Sequence, residues 1–206
     1  MTNPNSVRKR IHLALALALL VGGRVHRVQG LNALQDAQAL DDFNSRIEAY
    51  ISIHHQAEQE SGLAPDPKVL ESAREIADRK RTMARHISML RTKAHEGDIF
   101  TPELKVYFAR ALDSAYQANP EAFSTALACA PKANERAVAV NAVYPEHLGY
   151  SVMTATMLRH LPALPQELEY RIVNRDLIIR DREANLIIDV MRTAVASSPE
   201  GADCND

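Results

Sequence analysis

Tryptophan is missing from this 206-residue chain, and only six tyrosines and four phenylalanines supply aromatic rings. So sparse a set makes a poor stacking surface for single-stranded nucleic acid or for sugars. Glycine is scarce as well, at seven, which leaves little material for a loop that cradles a cofactor. No Gly-x-Ser-x-Gly elbow, phosphate loop, His-Glu-x-x-His helix or Cys-x-x-Cys pair occurs. Two cysteines, Cys129 and Cys204, cannot build a disulfide framework. They suit an oxidising compartment, but spacing alone leaves open whether they pair. Long hydrophobic runs are also lacking after the first thirty residues, so nothing there predicts a membrane span.

Those first thirty residues carry the clearest signal. Arg8-Lys9-Arg10 precedes an apolar run from Ile11 to Val21 that only His12 interrupts, and Gly22-Gly23 follows. Basic end, short apolar core and small-residue exit are the order of a secretory signal peptide, predicted over residues 1–30. Cleavage fits after Gly23 or after Gly30, although neither site has the preferred alanines. Arg24, His26 and Arg27 resist translocation, so retention as an anchor is the alternative. A cytosolic protein with an apolar first helix fits less well, because the run lacks the periodicity of a surface helix.

Removing residues 1–30 takes away five basic residues and no acid, so 24 basic against 26 acidic becomes 19 against 26, or −7. A mature domain of that sign is a poor partner for phosphate backbones, and no nucleic acid is expected.

The remainder predicts an α+β, mostly α fold in one domain over residues 31–193. Phe43, Ile47, Tyr50, Ile51, His54 and Ala57 share one helical face between Asp41 and Gly62. Asp66-Pro67 restarts the chain, and Val69, Ala73, Ile76, Met83, Ile87, Leu90 and Ala94 continue the stripe with Lys80 as its one polar interruption. Together they predict a long antiparallel helical hairpin. Thr101-Pro102-Glu103 and Asn119-Pro120-Glu121 open two shorter helices, the first to about Ala118 and the second to near Cys129. Residues 132–150 read as an extended connector, and 151–161 as one more short helix. Short β-branched runs at 169–173, 177–180 and 186–190, parted by turn residues, predict a small antiparallel β-meander over about 169–191. Residues 194–206 read as a frayed, disordered polar tail.

Two blocks resemble a family of uncharacterised exported bacterial proteins. One is Gly97-Asp98-Ile99-Phe100-Thr101-Pro102. The other runs from Val140-Asn141-Ala142-Val143-Tyr144-Pro145 through Leu161-Pro162-Ala163-Leu164-Pro165 to Leu168-Glu169-Tyr170-Arg171-Ile172-Val173-Asn174-Arg175-Asp176-Leu177 and Ala184-Asn185-Leu186-Ile187-Ile188-Asp189. Where the family often has glycine this chain has Asn174, the next best residue for a left-handed turn. A Pro-Pro pair that the family favours is missing near Thr154-Ala155. The resemblance implies export and no known activity, and it transfers no catalytic residue.

Three clusters are candidates for chemistry. His54-His55 with Glu58 has the spacing for one ion, with His86 or His95 as further ligands, but spacing is the only support, and a core-bordering His54 with a solvated His55 is the expected arrangement. Asp176, Asp181 and Asp189 around the meander suit acid–base work, yet with Arg171, Arg175, Arg180 and Arg182 interleaved they are expected to form surface ion pairs. Arg79-Lys80-Arg81 is expected to be a solvated face. The Leu161–Pro165 segment is expected to pack internally rather than in a partner's groove. No catalytic, cofactor-binding or metal-ligating residue is assigned and no cofactor is expected. The sequence reads as a non-enzymatic exported cell-envelope binding or structural protein, periplasmic or secreted, with an envelope protein partner or a second copy as possible partners. Its alternative is a metal-handling protein or hydrolase using the His55 cluster or the meander aspartates.

Overall fold

A computed structural model of the chain describes residues 5–62, 72–145, 148 and 153–195, with side chains from 33 onward except that of Glu135. The chain divides into two compact units, Met1–Asp41 and Asp42–Asp206. Helix α1 (Asn5–Ser61) has 57 residues, so the helix expected from Asp41 starts much earlier. Leucine and alanine, both strong helix formers, dominate that N-terminal stretch. The two expected processing points, after Gly23 and after Gly30, lie within helical backbone. Among the described residues no helix is long and apolar enough to cross a membrane.

In the second unit α1 buries Phe43, Ile47, Tyr50, His54 and Ala57, the expected stripe except for half-buried Ile51. Each large apolar side chain so buried contributes about 1.5–3 kcal/mol. Helix α2 (Ala73–Leu90) is opened by a capping box in which Ser72 and Glu75 satisfy one another's backbone donors. The expected restart at Asp66-Pro67 lies outside the described residues. Tyr50 meets Arg91 just past the end of α2, and Ser61 Oγ donates to Met83 Sδ at 3.7 Å, so the two helices run antiparallel. Ala73 and Leu90, expected on the buried stripe, are exposed, and Met83, Ala84 and Ile87 carry the packing.

Helices α3 (Pro102–Ala118) and α4 (Pro120–Ala128) begin where the Thr-Pro and Asn-Pro signals place them. Thr101 Oγ1 and Asn119 Oδ1 accept from the backbone N–H groups of Leu104 and Ala122, which the first helical turn otherwise leaves unpaired. After a short 3₁₀ turn (Glu135–Ala137), helix α5 (Ala155–His160) starts at a Thr154 cap, without the proline pair.

Strands β1 (Leu168–Val173), β2 (Asp176–Asp181) and β3 (Leu186–Met191) form an antiparallel sheet in the order β1-β2-β3. Asn174 holds φ 57° in the two-residue turn between β1 and β2, the left-handed geometry that asparagine tolerates. A bulge between Ile179 and Arg180 leaves Ile188 without a partner in the β2–β3 register, and its carbonyl oxygen accepts from buried Arg91 Nη2 at 3.0 Å.

Every residue of β2 and β3 is buried, so both faces of these strands are covered. On one face Tyr170 joins an aromatic cluster with Phe108, which in turn packs on Phe43 and Phe100. On the other, Val173, Ile178, Ile187 and Val190 pack with Val138 and Tyr144 of the connector. That connector is not merely extended: Val143 bridges Leu186, while Asn141 and Tyr144 donate their N–H groups to Ile187 and Asn185. Leu161 is buried, and Tyr170 Oη donates to the Pro162 carbonyl at 3.0 Å, so the proline-rich segment packs internally. The packed chain also reaches further than expected. Ala194 and Val195 are buried, and Val195 exchanges hydrogen bonds with Arg175; residues 196–206 lie outside the described residues.

Candidate functional site

The sequence reading of the meander charges as surface pairs is corrected by their burial. Asp181 and Asp189 are completely buried, and Asp176 and Arg180 nearly so. Period-two reasoning assumes one wet face, and here helices and connector cover both.

Asp181 and Asp189 tie distant chain to the sheet, and Asp176 holds the chain that leaves β3. Asp189 accepts from the N–H groups of Gly97, Ile99 and Phe100 at 2.7–2.9 Å, fixing the loop ahead of α3. Burial drives its pKa upward, and those backbone donors offset only part of the rise. Asp176 accepts from Arg192 Nη1 and from the Thr193 N–H, both at 2.8 Å.

Asp181 joins α1 to the end of β2. Its Oδ2 accepts from Tyr50 Oη at 2.7 Å and lies 2.7 Å from His54 Nδ1, while Oδ1 accepts from the Ala184 N–H at 2.7 Å. For His54, burial favours the neutral ring, but the hydrogen bond and charge of Asp181, with Glu183 and Glu58 nearby, outweigh it and raise the pKa. Burial, followed by the Asp181 charge, pushes the Tyr50 phenol far up.

One turn further, the same hairpin reaches a cleft of about 520 Å³. Directly opposed residues of paired strands project to the same face, so the register Glu169↔Arg180 and Arg171↔Ile178 sets Glu169, Arg171 and Arg180 side by side. Glu169 receives Arg171 Nη2 at 2.6 Å and a close contact from Arg180 Nη1, with Arg182 Nε 4.0 Å away. Burial would raise the Glu169 pKa, but the two arginine hydrogen bonds prevail and hold it below the ordinary carboxylate range. Arg180 is itself positioned by Asn185 Oδ1 at 2.8 Å from Nε and by the Tyr144 ring, 5.1 Å below its guanidinium. Helix α2 brings Arg79 and Lys80 to the opposite wall; Gln166, Arg182 and Glu183 complete the lining. Glu183 also stands 3.6 Å from His54 Nε2, which places the buried His54–Asp181 pair directly behind the cleft.

Sequence reasoning placed Arg79-Lys80-Arg81 on a solvated face. The structure puts the first two in the cleft wall and leaves Arg81 paired with Asp78 on the exposed side. The available signal was Lys80, a lone cation on an otherwise apolar stripe.

The histidine cluster does not converge. His54 is turned to Asp181, His55 is half exposed and 4.0 Å from Glu167, His86 Nδ1 lies 3.0 Å from the Thr82 carbonyl oxygen of its own helix, and His95 pairs with Asp98. Among the described residues no group of three or more His, Cys, Asp or Glu side chains could hold a metal ion. Cys129 is disulfide-bonded; the chain's other cysteine, Cys204, lies outside the described residues.

No protein-family model, curated protein or solved structure matches this chain.

Proposed function

We propose that this is an exported, non-enzymatic binding protein of the cell envelope, periplasmic or secreted, that takes its ligand in the cleft between α2 and the sheet. The observation that carries the binding reading is the cleft itself: a concave, charge-lined site of about 520 Å³ in which Arg171 and Arg180 are held in place by Glu169, Asn185 and Tyr144. Pre-organised side chains lose little freedom on binding, which is what a recognition site needs. Export is supported by the order of charge and hydrophobicity in residues 8–23, by the resemblance to exported bacterial proteins, and by the disulfide at Cys129, a bond that persists in oxidising compartments. The binding reading is preferred to the metal-handling or hydrolase alternative because, among the described residues, no three ligands gather at His55, and the three aspartates are each occupied in separate structural anchors.

The test is cell fractionation followed by native mass spectrometry of the protein purified gently from the fraction that holds it. The expected result is an envelope or secreted fraction and a non-covalent adduct that Lys80→Glu with Arg182→Glu removes. A cytosolic protein, or substrate turnover abolished by a point substitution, overturns the proposal.

A further inference from the structure

We propose that the cleft recognises a small, hydroxylated ligand through an oxyanion group, a phosphate ester or a carboxylate. The inference rests on the cleft being the binding site and adds the chemistry of what enters it. Five basic side chains line it against two carboxylates, in a chain whose net charge is negative. Local charge opposed to the charge of the whole molecule draws anions selectively to this one place. The sheet wall already holds one carboxylate, since Glu169 Oε2 is met by Arg171 and Oε1 by Arg180, so guanidinium–carboxylate pairing is the chemistry of this wall. Beyond Arg171 and Arg180, which pair with this internal carboxylate, Arg79, Lys80 and Arg182 add three cations to the lining.

The lining also sets the rest of the ligand. All eight lining side chains among the described residues are charged or polar, which suits a polar ligand better than an acyl chain or the greasy face of a helix. Glu183 and Gln166 add acceptors on the same wall, suited to hydroxyl donors. The volume lies within the roughly 300–1,000 Å³ range of small-molecule sites.

The experiment is isothermal titration of the full chain with inorganic phosphate, glycerol 3-phosphate and citrate, with spermine as a cationic comparison. Lys80→Gln and Arg79→Gln probe the cleft, and Arg85→Gln, exposed on the same helix, serves as control. At least one anion should bind saturably at one site, weaken about tenfold or more in each cleft variant, and be unaffected by Arg85→Gln. Glycerol 3-phosphate binding more tightly than inorganic phosphate identifies the ester source and the hydroxyl contacts, whereas citrate alone identifies the carboxylate source. Absence of saturable binding by all three anions at millimolar concentration overturns the inference, as does equal weakening by the control. Binding of spermine without any anion overturns it too, while leaving the cleft standing as a binding site.

Discussion

Replacing Asp181 with alanine removes the buried carboxylate that binds Tyr50 and His54 of α1 to the end of β2. Three donors converge on it, the Tyr50 hydroxyl, His54 Nδ1 and the Ala184 N–H, each at 2.7 Å, and the carboxylate is wholly buried. An orphaned buried donor costs about 1–3 kcal/mol, and breaking a buried charged pair about 3–5 kcal/mol. Asp181→Ala should therefore destabilise the protein by about 3–5 kcal/mol, a large share of the roughly 5–15 kcal/mol that a domain possesses. Urea unfolding followed by circular dichroism measures it. With a slope of about 1–3 kcal/mol per molar, the midpoint should fall by more than about 1 M. Tyr50→Phe leaves Asp181 its other two partners and should cost only about 0.5–1.5 kcal/mol. Once Asp181 is gone, that second substitution should cost little or nothing. A midpoint shift below about 0.3 M for Asp181→Ala would refute the reasoning, since the triad would then contribute no more than an exposed contact.

The His54 pKa is raised on folding, so its contribution to stability is complete below the unfolded value near 6.5 and is lost as pH rises through the folded value. Unfolding free energy measured across pH 5 to 9 should show that decline in wild type and a flatter profile in His54→Gln; identical profiles would remove the assignment. Asp189→Ala deprives three loop N–H groups of their acceptor and should cost about 2–4 kcal/mol, with hydrogen exchange at Gly97, Ile99 and Phe100 accelerated beyond the global effect. Unchanged protection at those amides would show that the loop is held by other contacts. Reduction of the Cys129 disulfide should lower stability by about 2–4 kcal/mol, read as a lower melting temperature in reductant, and Cys129→Ser should abolish that sensitivity to reductant.

The sequence by itself determined the local elements. Thr101-Pro102, Asn119-Pro120 and the asparagine at 174 mark helix starts and a turn through backbone chemistry that acts within a few residues, and the structure places them where those signals stand. The stripe from Phe43 to Ala57 was legible for the same reason, because a 3.6-residue period reports one covered face. What only the tertiary structure decided was the environment of the charges. Strand patterns cannot tell whether the second face is wet, so Asp181, Asp189 and Arg180 read as surface residues, whereas α1, the loop ahead of α3 and the connector respectively cover them. Lys80 stood out on its stripe, but its place in a cleft depended on the β1–β2 register that aligns Glu169 with Arg180, residues 89 and 100 positions away in the chain. Local propensity acts over a helical turn or a hairpin, whereas a binding surface is assembled from elements whose approach only packing specifies.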